Sequence, residues 1–222
     1  SAVLNINNGG TLQAVESYTL GRRINAGVGG ANVEVDAGKT LAHTNGFTGG
    51  TTLTKAGAGT FNFTGYGAGG FSGQLVVNEG TVRFGSGVFS ANIGLSSITV
   101  NTGGTLLSPA GVAHILGGYI TATPALLINA GGVYQVDQEQ YLNAITLNGG
   151  TISGSNEIRT DNNFQVSVTE DSTWSANLNG VQQDLRINVD AGKNLNLSGN
   201  ITNTRPLVKS GTGTLTLSGT GS

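Results

Sequence analysis

Residues 98–106 read Ile-Thr-Val-Asn-Thr-Gly-Gly-Thr-Leu: two alternating apolar residues, an Asn, a glycine turn and the start of a second alternating segment. Apolar residues at every second position indicate a β-strand with one buried face, and Asn followed by glycine is typical of a tight turn. The same phrase recurs with its Asn or Asp at Asn7, Asp36, Asn78, Asn101, Asn129, Asn148 and Asp190, and with turn glycines that include Gly38, Gly80 and Gly192. A recurring turn phrase predicts a structure of stacked repeats.

The spacing of these turns indicates the size of the repeat. The separations from Asp36 to Asn78 and from Asn148 to Asp190 are equal, and each is much longer than any other separation between successive turns. These two separations look doubled, and dividing each in two leaves about 23 residues per step, which is a typical solenoid period. The steps contain strand and turn patterns without a 3.6-residue helical period, so a leucine-rich repeat is disfavoured.

We therefore predict an all-β fold: a single-stranded right-handed parallel β-helix of about nine or ten coils, continuous over residues 1–222, with a β-sandwich as the alternative. Each coil would rise about 4.8 Å, which makes a rod about 45 Å long. The turn Asn and Asp side chains should stack as a polar ladder, and apolar residues before the turns should stack inward. These inward residues are Val35, Val77, Val100, Ile128, Leu147 and Val189.

A longer repeat is superimposed on the short one. A shift of 154 residues aligns Asp36-Ala37-Gly38-Lys39 with Asp190-Ala191-Gly192-Lys193 without a gap. Over residues 35–67 this shift gives 14 identities in 33 positions, whereas about three are expected from the composition. We predict a duplicated 154-residue unit whose second copy begins near residue 161, and we expect the natural protein to continue past Ser222.

Composition argues against several classes of partner and cofactor. Only 10% of the residues are charged, the net charge is -2, and the 10 basic residues are scattered, so no basic surface is predicted for nucleic acid or an anionic membrane. The chain has no cysteine. Its two histidines, His43 and His114, have no carboxylate at metal-ligand spacing and are predicted to be solvent-facing or in loops. We expect no metal and no cofactor.

One phrase is more specific than the others. It consists of Leu53, Lys55, Gly57, Gly59, Thr60, Phe61, Phe63 and Gly65 in the first copy, and of Leu207, Lys209, Gly211, Gly213, Thr214, Leu215, Leu217 and Gly219 in the second. It resembles the autotransporter-associated β-strand repeat of bacterial passenger domains, with phenylalanines in the first copy where leucines are usual. The resemblance implies a β-helical passenger, export to the cell surface or secretion, attachment to the outer membrane in many members, and a repeat without catalytic residues.

The acidic residues bear on whether the chain is an enzyme. Lyases and hydrolases built on a β-helix place carboxylates and basic residues together on adjacent coils, which is the arrangement that acid–base cleavage of a polysaccharide needs. The acidic pairs are Asp137 with Glu139, Glu157 with Asp161, and Glu170 with Asp171. No pair has a second cluster and a basic partner one coil away, if a coil takes about 23 residues, which predicts solvated charges. We expect no catalysis and keep a polysaccharide-active enzyme as the alternative.

Two segments are candidates for recognition. Residues 108–124 form the longest excursion from the repeat, and residues 134–141 are polar, acidic and aromatic. Excursions from a rigid rod are common sites of ligand contact. The candidate contacts are Tyr119, Tyr134, Asp137, Glu139 and Tyr141, and the candidate partners are glycans or proteins on host or neighbouring cells. Trp174 is predicted to be a core or cap residue.

The function predicted from these patterns is mechanical. A rod of stacked coils suits a stalk or passenger segment of a bacterial surface or secreted protein, with adhesion as an additional role. Because a terminal coil has a neighbour on only one side, we expect the C-terminal coil to fray or to associate end to end.

Overall fold

A computed structural model describes residues 2–65, 71–85, 94–117, 123–181, 183–202 and 205–221. Within these residues the chain forms strands, turns and bends but no helix, and the named strands pair in parallel with strands one coil away. The predicted all-β parallel solenoid is confirmed.

The described residues form 25 strands. In chain order they are β1 (Val3–Ile6), β2 (Gly10–Ala14), β3 (Tyr18–Leu20), β4 (Arg23–Ala26), β5 (Ala31–Val35), β6 (Thr40–His43), β7 (Phe47–Thr48), β8 (Thr52–Ala56), β9 (Thr60–Phe63), β10 (Gln74–Val77), β11 (Gly80–Phe84), β12 (Ser97–Val100), β13 (Gly104–Ser108), β14 (Ala125–Asn129), β15 (Val133–Val136), β16 (Gln140–Asn148), β17 (Thr151–Ser153), β18 (Glu157–Glu170), β19 (Ser172–Trp174), β20 (Asn177–Asn179), β21 (Leu185–Val189), β22 (Asn194–Leu197), β23 (Ile201–Thr202), β24 (Leu207–Ser210) and β25 (Thr214–Leu217).

These strands form three sheets. A 10-stranded sheet takes one strand from each coil, in the order β3-β6-β9-β11-β13-β15-β17-β19-β22-β25. A 12-stranded sheet runs from β2 through β5, β8, β10, β12, β14 and β16 to the long strand β18, which pairs with β20 through its first part and with β21 through its last. Strands β1, β4 and β7 form a separate 3-stranded sheet. Nine steps between the ten strands make the rod about 43 Å long.

The strand register explains the two doubled turn separations. Strand β8 lies between Asp36 and Asn78, and the second half of β18 lies between Asn148 and Asp190. Each of the two long separations therefore spans two coils, as predicted. The 154 residues between Asp36 and Asp190 make seven coils of about 22 residues.

Asn7 does not belong to the series of equivalent turns. It lies between β1 and β2, whereas Asp36 and the later members lie between the 12-stranded and the 10-stranded sheet. Because Ala14 pairs with Val35, the equivalent of Asp36 in the first coil is Val15. The prediction for Asn7 is wrong because a strand-turn-strand phrase occurs at more than one corner of a coil.

The inward apolar ladder is confirmed. Val77, Val100, Ile128 and Leu147 pair in register from coil to coil. The predicted inward residues Val35, Val77, Val100, Ile128, Leu147 and Val189 are all 0% exposed. Trp174 is also fully buried, as predicted. One continuous apolar core therefore extends along the rod.

His43 is a core residue, contrary to the prediction of an exposed or loop histidine. It follows Leu41 at the next inward position of β6, and its ring centroid lies 4.6 Å from that of Phe47 and 5.5 Å from that of Phe63. Burial lowers its pKa to about 4, although a hydrogen bond to the Arg22 carbonyl opposes this shift. The ring is therefore neutral at pH 7 and packs as an aromatic side chain.

Candidate functional site

The predicted motif residues lie at a single corner, which we call the turn corner, between the 12-stranded and the 10-stranded sheet. They are Asp36, Gly38, Lys55, Gly57, Gly59, Asn78, Gly80, Asn101, Asn129, Asn148, Asp190, Gly192, Lys209, Gly211 and Gly213. A corner that recurs in every coil places side chains from successive coils in line, so each can bond to its equivalent one coil away.

Four asparagines form a continuous ladder along the turn corner. The Nδ2 of Asn101 donates to Oδ1 of Asn78 at 2.8 Å, Asn129 donates to Asn101 at 2.6 Å, and Asn148 donates to Asn129 at 2.9 Å. The hydroxyl of Thr169 donates to Asn148 at 3.1 Å and occupies the next position. The predicted polar ladder is therefore present in these coils, and it fixes their register.

Lys55 points into the solenoid and takes the place of an apolar residue. It pairs with Val33 on one side and Val77 on the other, and it is 1% exposed. Its ammonium donates to the carbonyls of Ala56 at 2.8 Å, Gly57 at 2.6 Å and Glu79 at 3.0 Å. Burial lowers the pKa of Lys55 to about 8, with the charges of Glu79 and Glu34 opposing the shift.

The glycines of the specific phrase are required by close contact with the preceding coil. A Cβ on Gly59 would lie 2.2 Å from the Asp36 carbonyl oxygen, and one on Gly213 would lie 2.1 Å from that of Asp190. Gly57 and Gly211 have φ angles of 74° and 73°, which other residues rarely adopt. Both copies of the phrase therefore meet the same surroundings on their N-terminal side.

The equivalence of the two copies extends further towards the N-terminus than the matching sequence. Lys39 forms an ion pair with Glu16, and Lys193 forms the corresponding pair with Glu170. Each ion pair joins one coil to the next, and the two pairs lie at equivalent positions of the two copies. The alignment of the chain with itself at a shift of 154 residues missed these ion pairs, because Glu16 and Glu170 lie outside the run of identities.

Gln140 anchors the described part of the long excursion to the rod. Its side chain is fully buried, and its Oε1 accepts from the backbone N–H groups of Ile115 at 2.8 Å and Leu116 at 3.3 Å. Its Nε2 donates to the Val112 carbonyl at 3.2 Å. The excursion is thus held by a satisfied buried amide, which places His114 beside the rod.

The main concentration of charge on the described surface is a group that we call the charged cluster: His114, Glu139, Glu157 and Arg159. Glu139 lies 2.9 Å from Nε2 of His114 through one oxygen and 2.6 Å from Nη2 of Arg159 through the other. Arg159 also bonds to Glu157 at 2.6 Å through Nε. The His114 contact lacks the alignment of a hydrogen bond, and it is an ion pair only when the imidazole is protonated.

Neighbouring polar and aromatic groups complete the charged cluster. Asn179 donates to both oxygens of Glu157 at 3.1 Å, and Tyr141 lies against His114, with 4.9 Å between ring centroids. Partial burial disfavours the charge of Arg159, but bonds to Glu157 and Tyr141 and the charges of Glu157 and Glu139 outweigh it and raise its pKa. The guanidinium of Arg159 therefore offsets part of the negative charge of Glu139 and Glu157.

The prediction that no acidic cluster meets a second one with a basic partner one coil away is wrong. Tyr141 pairs with Arg159, and Arg159 pairs with Asn179, so both of these coils are shorter than the average. The average period of about 23 residues therefore missed these contacts. The register of β16, β18 and β20 brings Glu139 and Glu157 to the same face.

The structure separates the predicted ligand-contacting residues. Tyr134 is fully buried on β15, where its hydroxyl lies 3.0 Å from Ser108 and burial raises its pKa well above the ordinary value. It is therefore a core residue and not a surface contact. Asp137 accepts from the Ser155 backbone at 3.1 Å, and Tyr141 is 7% exposed. Tyr119 lies outside the described residues.

A polar cleft of about 190 Å³ lies where β18 meets β21 and is lined by Phe164, Gln165, Gln183 and Arg186. Gln165 and Arg186 are neighbours on paired strands, since Val166 pairs with Ile187. Arg186 is 3.5 Å from Asp184, so part of its charge is compensated. The cleft offers amide and guanidinium donors but no carboxylate among its lining residues.

Comparison with protein-family models, with curated proteins and with solved structures finds no match to this chain. Across the described ranges, no three or more His, Asp or Glu side chains are grouped so that they could hold a metal ion. A search of the same ranges finds no helix with the length and hydropathy needed to span a membrane.

Proposed function

We propose that the chain is a non-catalytic structural stalk, a passenger-type segment of an autotransporter-like protein at a bacterial surface or secreted from the cell. The observation that carries the proposal is the use of polar side chains to join coils. At the turn corner, the asparagine ladder crosses four coils with bonds of 2.6 to 2.9 Å. Side chains used in this way stiffen a rod, because each is held by its equivalent in the adjacent coil.

The charged cluster supports the same interpretation. Both oxygens of Glu139 face a basic group, and both oxygens of Glu157 accept from Asn179. The side chains of Glu139 and Glu157 are 23% and 17% exposed. General acid–base catalysis needs a carboxyl group that can reach the substrate. Carboxylates that are already paired suit the attachment of the excursion and of adjacent coils.

Display on a cell surface can test the stalk. The chain is placed between a membrane anchor and a fluorescent reporter, and a second version repeats residues 36–189, which adds seven coils in register. The reporter should then stand about 34 Å further from the membrane, as measured by energy transfer to a membrane dye. A matched control repeats the same segment with Val100→Asp. An unchanged reporter distance in the folded, longer version would contradict the stalk.

A polysaccharide-active enzyme is the second candidate, because the charged cluster joins two carboxylates, a guanidinium and an imidazole on one face. The test measures reducing ends and unsaturated products released from acidic and neutral polysaccharides. We expect no release. Release that is lost in Glu139→Gln and kept in the matched variant Asp137→Asn would show that the chain is an enzyme.

A further inference from the structure

The polar cleft lies at the corner where β20 is followed by β21, which we call the cleft corner. Strand β18 pairs with β20 through residues 157–159 and with β21 through residues 166–168, and the corner lies between these two pairings. The shift of 154 residues converts them into the pairings of β1 with β4 and of β2 with β5. The first copy therefore contains the same corner with different side chains.

At the equivalent corner of the first copy, hydrogen bonds join adjacent coils directly. The backbone N–H of Asn8 donates to the Val28 carbonyl at 2.7 Å, and that of Gly9 donates to the Gly30 carbonyl at 3.1 Å. The side-chain amide of Asn32 donates to the Gly9 carbonyl at 2.6 Å. Short residues and one inward-turned amide are thus sufficient to build this corner of the rod.

In the second copy the cleft corner carries longer polar side chains. Arg186 takes the place of Asn32. Gln183 takes the place of Gly29. Both residues are exposed, as is Gln165 on the neighbouring strand, and all three line the cleft of about 190 Å³. Since the first copy forms the corner without such side chains, stacking of the coils does not explain them.

A buried hydroxyl holds the cleft in shape. Oγ1 of Thr160, a residue that is 0% exposed, accepts from the backbone N–H of Gln183 and donates to its carbonyl, both at 3.3 Å. The first copy has Ile6 at the position of Thr160, so the hydroxyl is specific to the cleft corner. Phe164 is 1% exposed and supplies the apolar part of the lining. The polar side chains therefore extend from a fixed backbone, which suits a binding site.

We propose that this cleft binds a saccharide that carries a carboxylate, such as a uronic acid residue. The guanidinium of Arg186 can donate two parallel hydrogen bonds to the carboxylate. The amides of Gln165 and Gln183 both donate and accept, which suits sugar hydroxyls because these also donate and accept. An acidic peptide side chain would use the guanidinium but leave the amide oxygens without a donor, so the lining favours the sugar.

The charges beside the cleft provide matched controls. The carboxylate of Asp184 lies 3.5 Å from Nη2 of Arg186, so it competes with an anionic ligand for the guanidinium. A second arginine, Arg205, lies close by, since a Cβ added to Gly180 would be 2.9 Å from the Arg205 Cβ. Arg205 is not among the residues that line the cleft. It therefore has the same charge near the site without the same contact.

Titration of the chain with glucuronic acid, followed by NMR of the side-chain N–H groups, tests the proposal. We expect shifts at the amides of Gln165 and Gln183 and at the Nε–H of Arg186. Arg186→Gln should weaken binding by about tenfold or more. Arg205→Gln should change it by less than about twofold, because screened charge at a distance contributes little. Asp184→Asn should strengthen binding, because it removes the competing carboxylate.

Three further probes show which chemistry is recognised. Glucose lacks the carboxylate, and acetate lacks the hydroxyls, so each should bind about tenfold more weakly than glucuronic acid or worse. Equal binding of either compound, or an absence of shifts at the cleft, would overturn the proposal. Tighter binding of a tri-glutamate peptide would overturn it in favour of an acidic protein partner.

A double variant keeps the test independent of folding. Gln183→Gly with Arg186→Asn introduces the residues of the first copy, and it should abolish binding of glucuronic acid while the melting temperature stays nearly unchanged. Binding retained in this folded double variant would contradict the assignment of the cleft. None of these outcomes depends on the stalk function, which concerns the length of the rod.

Discussion

Phe61 and Leu215 occupy the same place in the two copies of one phrase, and their surroundings differ. Phe61 is 2% exposed and is covered by Val82, whereas Leu215 is only partly buried and, within the described ranges, pairs with Leu195 alone. The two residues share the same kind of neighbour on the N-terminal side. Burial in this solenoid therefore depends on the neighbouring coil at least as much as on the phrase itself.

The largest effect should come from a charge placed in a position with coils on both sides. Val189→Asp puts a carboxylate where the exposed fraction is 0%, and desolvation of an unpaired charge costs several kcal/mol. Leu217→Asp makes the same change at a side chain that is 49% exposed and should cost less than about 1 kcal/mol. Chemical denaturation measures both. Equal losses would show that Leu217 is in fact covered.

Truncation of an inward side chain to alanine should give a smaller version of the same contrast. Phe61→Ala empties a fully buried site and should cost about 3–5 kcal/mol. Leu215→Ala removes a partly buried side chain of β25 and should cost about 1 kcal/mol. The unfolding midpoint of each variant tests this. A Leu215→Ala loss as large as that of Phe61→Ala would contradict the dependence on the next coil.

Lys55 and Lys209 provide a third contrast, which also depends on pH. Lys55→Met leaves three carbonyls without a donor and should cost about 2 kcal/mol at pH 7. Lys209 is exposed and its ammonium donates to the carbonyls of Ser210 and Gly211, so Lys209→Met should be nearly neutral. The pKa of Lys55 is about 8 in the folded chain and 10.5 ordinarily, so the unfolded chain holds a proton that the folded chain has released between these values. The free energy of unfolding therefore rises with pH from about 8 to 10.5.

This pH-dependent gain should be absent from Lys55→Met, so the gap between that variant and the original chain should widen over the same window. Thermal unfolding at pH 7, 8, 9 and 10 tests the sign. A difference in stability between the two proteins that narrows as the pH rises would contradict this sign. It would show that the interactions of the Lys55 ammonium outweigh the cost of its desolvation.

The smallest predicted effect concerns the turn corner. Asn129→Ala interrupts the ladder by removing one bond to Asn101 and one from Asn148, and should cost about 1 kcal/mol. Asp190 lies outside that ladder and accepts from Asn188, so Asp190→Ala should cost less. Denaturation midpoints measured side by side test the order. A larger loss for Asp190→Ala would show that the ladder contributes little.

The sequence was sufficient to predict the solenoid, the inward ladder and the turn corner, because strand alternation and turn chemistry are local properties. It failed where contacts depend on register. Glu139, Arg159 and Asn179 meet because the coils there are shorter than the average period. His43 and Tyr134 were misjudged because their residue types suggested a surface, although both follow the alternation of their own strands.

Asn7 shows a different limit. A turn phrase identifies a corner of a coil but not which corner, and only the pairing of Ala14 with Val35 reveals the phase. The role of Lys55 was also not predictable, since a lysine within an apolar alternation gives no sign of the three carbonyls that surround its ammonium.

Residue-resolved hydrogen exchange on a monomeric sample of the chain tests most directly whether each coil is stabilised by its neighbours. Amides of β8 and β9 have paired strands on both sides, and those of β24 and β25 have a paired strand on one side in the part of the chain that the structure describes. We predict that amides of residues 52–63 exchange with a free energy near that of global unfolding, and that amides of residues 207–217 exchange by local opening at much lower cost. Equal protection of the two segments would contradict the neighbour-dependent solenoid described above.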